Sequence, residues 1–200
     1  MNSTSVDNDY PDYHLATNKA YETLIKFKIF SFPITIVSVL RRMHNVCFHS
    51  YSEAAEMMGI SFTEFWALAS SDFGFSVRNS KRNQIEIFYN DHKSESVQRF
   101  TLAHELGHVV LEHVQDGKKE DREANCFARN YLCPVPVVQG YNLKTSAEYC
   151  KTFFVSDVMA NTALVFKNAD LYNISDLNYV IYNGGVMKFN QKPLNNNGTQ

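Results

Sequence analysis

His104-Glu105-Leu106-Gly107-His108 is the stretch that most restricts what this chain can become. Its histidines are four residues apart. On an α-helix that spacing is close to one turn, so the two imidazoles stand one above the other on one face. Held in this way they can take adjacent corners of a tetrahedral zinc ion. Glu105 is rotated by about 100° from His104. It is therefore aimed at the open position of such an ion rather than at the ion itself, where a general base for zinc-assisted hydrolysis would stand. Phe100, Leu102, Leu106, Val109 and Val110 flank the motif with helix-like apolar spacing. A buried helix with two satisfied core histidines is the poorer reading, because a core helix seldom needs His, Glu and His near one apolar face.

The 200 residues suit one domain with a small accessory segment. A 44% hydrophobic and 14% aromatic content supports a sizeable core. The net charge of −2 and pI of about 6.4 give no electrostatic case for direct nucleic-acid binding. Met1 to Asp7 is polar and acidic and does not read as a secretory signal. Ile29 to Leu40 is too short and too interrupted to span a membrane. The four cysteines, Cys47, Cys126, Cys133 and Cys150, form no C-x-x-C pair and are expected as reduced thiols in a cytoplasmic protein.

Residues 1–14 lack periodicity and are expected to be disordered. Residues 15–70 form an N-terminal helical region. It holds one helix from Leu15 or Ala16 to Phe27 and a second over Ile34–Met43 after the break at Pro33. A short helix follows, closed by Gly59, and another opens at Ser61 with Glu64 completing a capping box. Helix, glycine turn and helix permit a helix-turn-helix reading, but the aromatic, acidic second helix suits packing better than base readout. Residues 71–166 form the core that carries the motif. Phe75–Arg78 and Ile85–Tyr89 read as a β-hairpin, whose edge could pair with an extended peptide. The motif helix is expected from Ser94 or Ser96 to near Gln115–Gly117, and the next from Lys119 to Leu132, stopped by Pro134 and Pro136. Further helices are expected over Thr145–Phe154 and from Val155 to about Phe166. Residues 167–200 read as an extension with strand-like pieces at Asn178–Tyr182 and Val186–Phe189, ending in a disordered Asn195–Gly198 tail.

A catalytic zinc needs a third protein ligand. In one arrangement it is a histidine six residues beyond the second motif histidine, with a glycine at the third. Val114 and Leu111 occupy those positions, which excludes it. His113 is five residues past His108 and should point away from the metal face, where it caps or packs. The other arrangement takes a carboxylate from the following helix: Glu120, Asp121 or Glu123. Glu123 shares a face with Phe127 and Tyr131, the side expected to pack on the motif helix, and is the favoured third ligand.

Arg99 to His108, followed by Glu123-Ala124-Asn125-Cys126-Phe127-Ala128 and Leu132-Cys133-Pro134, resembles the ImmA/IrrE family of metallo-endopeptidases, which are gluzincin-like zinc proteases. The hairpin and Phe154-Val155-Ser156-Asp157-Val158-Met159-Ala160 fit the family layout, so the resemblance covers about residues 75–165. It implies an α+β, compact zincin-like domain, mostly helical, with a short antiparallel sheet beside the active-site helix. It implies Zn2+ held by His104, His108 and Glu123, with Glu105 as general base. It further implies cleavage of a helix-turn-helix repressor that silences a phage or mobile element. Cys126, Cys133 and Asn161 depart from the family pattern. A competing reading is a non-catalytic metal-binding module that sequesters a repressor or toxin. Tyr131 and His113 are the residues considered for stabilising an oxyanion.

Overall fold

The computed structural model describes residues 10–79, 81–115 and 117–191. The expected disorder of residues 1–9 and of the Asn195–Gly198 tail lies outside these residues, as do Ser80 in the hairpin turn and Asp116. The elements run α1 (Tyr13–Lys26), α2 (Ile36–Leu40), β1 (Val46–Ser50), α3 (Tyr51–Met58), α4 (Phe62–Leu68), β2 (Gly74–Asn79), β3 (Gln84–Tyr89), α5 (Glu95–Val110), α6 (Lys118–Leu132), α7 (Val135–Gly140), α8 (Ser146–Phe153), α9 (Asp157–Asn173) and α10 (Asp176–Asn190). The chain is a mostly helical α+β fold with one small sheet.

Local chemistry explains most of the boundaries. Ser50 with Glu53, Ser61 with Glu64 and Thr145 with Glu148 form reciprocal capping boxes that start α3, α4 and α8. Gly59 closes α3 at φ 68°, in the left-handed region where a side chain is strained. α1 starts at Tyr13, earlier than expected, because Asp12 Oδ1 accepts the Leu15 N–H.

The sheet order is β1-β3-β2. β2 and β3 are the expected antiparallel hairpin, but β1 joins β3 in parallel, so the sheet is mixed rather than antiparallel. Ile85 and Ile87 point into the main core. Phe88 points the other way and, with Phe75, packs under α3 and α4 against Tyr51 and Phe65. Phe65, on the second helix of the candidate helix-turn-helix, is therefore buried against the sheet.

The main core joins residues from all three expected regions: Tyr21 of α1, Leu106 of α5, Phe127 of α6 and Tyr182 of α10. The strand-like pieces expected in 178–189 are instead one helix, α10, started by Ser175 accepting the Asn178 N–H. Tyr182 meets Tyr21 edge to face at 5.4 Å. Asn18 joins α1 to the α9–α10 turn, donating to the Asn173 carbonyl and accepting from the Ser175 N–H. Pro134 and Pro136 end α6 as expected, but they also open α7, where proline fits the first turn. All four cysteines are free thiols. No helix among the described residues is long and apolar enough to cross a membrane.

Arg129 of α6 holds α9 through Asp170. Its Nε and Nη2 donate to Asp170 Oδ2 and Oδ1 at 2.7 and 2.6 Å, and both residues are buried. Removing one partner strands the other charge away from water. Asp170→Ala is therefore expected to lower stability by about 3–5 kcal/mol, measured by urea unfolding.

Candidate metal centre

Gly107 sets the distance between the two helices that carry the centre. A Cβ built there would lie 3.2 Å from the Ala124 Cα and carbonyl oxygen and 3.2 Å from Phe127 Cδ1. With only hydrogen at Gly107, α5 and α6 approach backbone to backbone. A short side chain on α6 can then reach the histidines on α5.

His104 and His108 turn their Nε2 atoms toward each other, 3.0 Å apart. Asp121 Oδ1 lies 3.7 Å from His108 Nε2. The three residues offer one atom each to a cluster whose members all lie within 4.8 Å of one another. Nitrogen and oxygen ligands about 2.0–2.2 Å from zinc stand about 3.3–3.5 Å apart at the corners of a tetrahedron. The observed spacings bracket that range. Two imidazoles and one carboxylate also leave a fourth position for substrate or water. The residues present therefore fit a catalytic metal ion.

The other sides of the imidazoles are occupied. His104 Nδ1 is 3.0 Å from Asn125 Oδ1. His108 Nδ1 is 3.0 Å from His113 Nδ1, and His113 Nε2 is 2.9 Å from Glu123 Oε2. Glu123 Oε1 accepts the Asp12 N–H at 2.7 Å. The expected ligand Glu123 is thus buried with His113, while the carboxylate beside the two Nε2 atoms is Asp121. At 100° per residue, Asp121 and Asn125 share one face of α6, and Glu123 is rotated by about 200° from Asp121. The signal was present as a second i, i+4 pair, Asp121/Asn125, facing the first, His104/His108.

His113 does not point away from the centre as expected. α5 stops at Val110, and Glu112 takes φ 58°. The Glu112 N–H bonds the Val109 carbonyl and the His113 N–H bonds the His108 carbonyl. This is a Schellman ending, with glutamate in the position usually held by glycine. It folds His113 back beside His108. Tyr131 is fully buried in the core, stacked on Phe127, and does not line the cleft described next.

Glu105 is buried and, with His104, lines a cleft of about 930 Å³. Phe73 and Phe100 form part of its lining, together with Val158, Met159 and Phe166 of α9. A smaller, polar pocket of about 160 Å³ meets His108 and His113 and is lined by Ser76 and Arg78. β2 passes from one to the other, with Gly74 in the large cleft and Ser76 and Arg78 in the small one. Gly74 lets this edge strand press on α5: a Cβ there would collide with Thr101 Cγ2 and lie 2.7 Å from the Phe88 carbonyl oxygen.

Residues 60–150 match the family model Peptidase_M78, described as the IrrE N-terminal-like domain. The match takes in the β2–β3 hairpin and both helices of the centre. Comparison with curated proteins finds no match.

Burial lowers the His104 pKa below its ordinary value. It pushes His108 down to about 3, helped by the neighbouring His104 and His113. Both imidazoles therefore keep a lone pair at neutral pH. A histidine whose folded pKa is depressed takes up its proton more readily when unfolded, so acid favours unfolding. The metal-free protein is expected to hold its stability above about pH 6.5 and to lose it as pH falls toward the His108 value of about 3. Urea midpoints measured across that range check this; His108→Gln should flatten the profile.

Proposed function

Because the chain belongs to the ImmA/IrrE family of metallopeptidases, we propose that it is a zinc-dependent endopeptidase whose substrate is a helix-turn-helix transcriptional repressor. The observation that carries the catalytic reading is the convergence of His104 Nε2, His108 Nε2 and Asp121 Oδ1, with His104 and Glu105 both lining an open cleft. Asp121 is taken as the third ligand in place of Glu123.

A zinc ion held by these three atoms would polarise the scissile carbonyl and acidify a water in its open position. The Glu105 carboxylate would take a proton from the water as its oxygen bonds to the scissile carbonyl carbon, and give that proton to the amine nitrogen as the C–N bond breaks. The free edge of β2 offers backbone N–H and C=O groups to an extended peptide, aligning it across the two pockets. Pairing of this kind selects an extended segment, so the scissile bond lies in a linker of the repressor rather than within its DNA-binding helices. Cleavage there would separate the parts of the repressor and release the genes that it holds silent.

The test is incubation of the full chain with the repressor encoded beside its gene, with and without a chelator. Two product fragments are expected only without chelator. Glu105→Gln should retain metal and lose about 10²- to 10⁴-fold in rate, while Asp121→Asn should lose metal. If Glu105→Gln still inactivates the repressor fully with metal bound, the protein sequesters its partner instead of cutting it.

A further inference from the structure

The two histidines of the centre are held from behind in different ways. His104 Nδ1 meets the side-chain oxygen of Asn125 at 3.0 Å. That oxygen can only accept, so His104 carries its proton on Nδ1 and leaves Nε2 free. His108 Nδ1 instead meets a second imidazole nitrogen, His113 Nδ1, at 3.0 Å. One of these nitrogens must donate and the other accept.

The direction is fixed by the far end of the chain of bonds. His113 Nε2 lies 2.9 Å from Glu123 Oε2. A carboxylate accepts, so His113 Nε2 carries a proton, and in the neutral imidazole its Nδ1 then carries the lone pair. His108 Nδ1 is then the donor, and His108 Nε2 is left bare, facing His104 Nε2 and Asp121. Glu123 is fixed in turn by the Asp12 N–H at 2.7 Å on its other oxygen. Every donor in this row has an acceptor, with both ligand imidazoles neutral.

We propose that His113 and Glu123 form a positioning relay, anchored on the Asp12 backbone, that fixes the tautomer and ring orientation of His108 for metal binding, and that Glu123 is not itself a ligand. The inference rests on the reading of His104, His108 and Asp121 as the metal set. Partners of this kind, one shell behind the ligands, commonly govern metal affinity. Here the relay also ties the start of α1 to the centre, so the setting of one ligand depends on a backbone group 111 residues from Glu123 in sequence.

The experiment uses the full chain and zinc affinity by chelator competition, with the cobalt(II) visible spectrum as a second readout. Glu123→Gln and His113→Ala are each expected to weaken zinc binding about 10- to 100-fold while the cobalt bands keep their position and intensity. His113→Gln, whose side-chain oxygen can accept from His108 Nδ1, should recover part of the affinity lost in His113→Ala. The Glu123→Gln/His113→Ala double variant should bind no more weakly than His113→Ala alone, since both changes break one relay. Asp121→Asn, which should lose metal, should show no bound-cobalt bands. If the two single losses multiply in the double variant, the relay is wrong and the metal reading survives; if Glu123→Gln alters the cobalt bands and Asp121→Asn does not, Glu123 is a ligand and both readings fall. A wild-type chain that binds neither zinc nor cobalt overturns both.

Discussion

The contact between Gly107 and Ala124 is the constraint on which the centre depends. Helices packed through ordinary side chains keep their axes about 8–10 Å apart. Glycine against alanine lets α5 and α6 close to backbone contact, so a side chain as short as aspartate can stand beside His108. The same helix is held from its other side, where Arg129 meets Asp170 on α9 and packs over Phe166. α6 is thus fixed between the helix that carries the histidines and the helix that walls the cleft. Any loosening at Gly107 would move Asp121 and Asn125 together, and both imidazoles would feel it.

Burial and hydrogen bonding act in the same sense at the centre. Removing the imidazoles from water disfavours their cations, and the partners behind them accept rather than donate along the row that ends at Glu123. A metal ion therefore meets two neutral nitrogens without first displacing protons. The walls of the cleft that Glu105 lines are largely apolar, and a substrate that fills it would leave a drier setting in which charge interactions are stronger.

Much of this was legible in the sequence where the code is local. The serine cap with a glutamate three residues on placed α4, Gly59 placed the end of α3, and two strand-like runs around a polar turn placed the hairpin. The misses share a cause: each depends on a partner far along the chain. β1 is five residues long and pairs with Ile85–Tyr89, so nothing around Val46 marks it. Asn178–Tyr182 has strand-like β-branched and aromatic residues, yet a serine cap and the packing of Tyr182 on Tyr21 make it helical. Asp121, the third ligand proposed in place of Glu123, is hidden in the sequence for a related reason. Phe127 and Tyr131 mark the face of α6 that enters the core, and Glu123 was read from that row. The row that meets the histidines is polar, and it is recognised only once the place of α5 is known.

The large cleft straddles the limits of the matched domain. His104, Glu105 and Asn125 fall within residues 60–150, while Val158, Met159 and Phe166, which also line the cleft, lie beyond them, and Tyr13 lies before them. The proposed reactive groups and part of the lining they share are therefore written in separate parts of the chain. Substitutions on α9 can reshape what the cleft accepts without touching a ligand or the base. Such a division of labour lets one bond-breaking unit be readdressed to a new target by changing the wall alone.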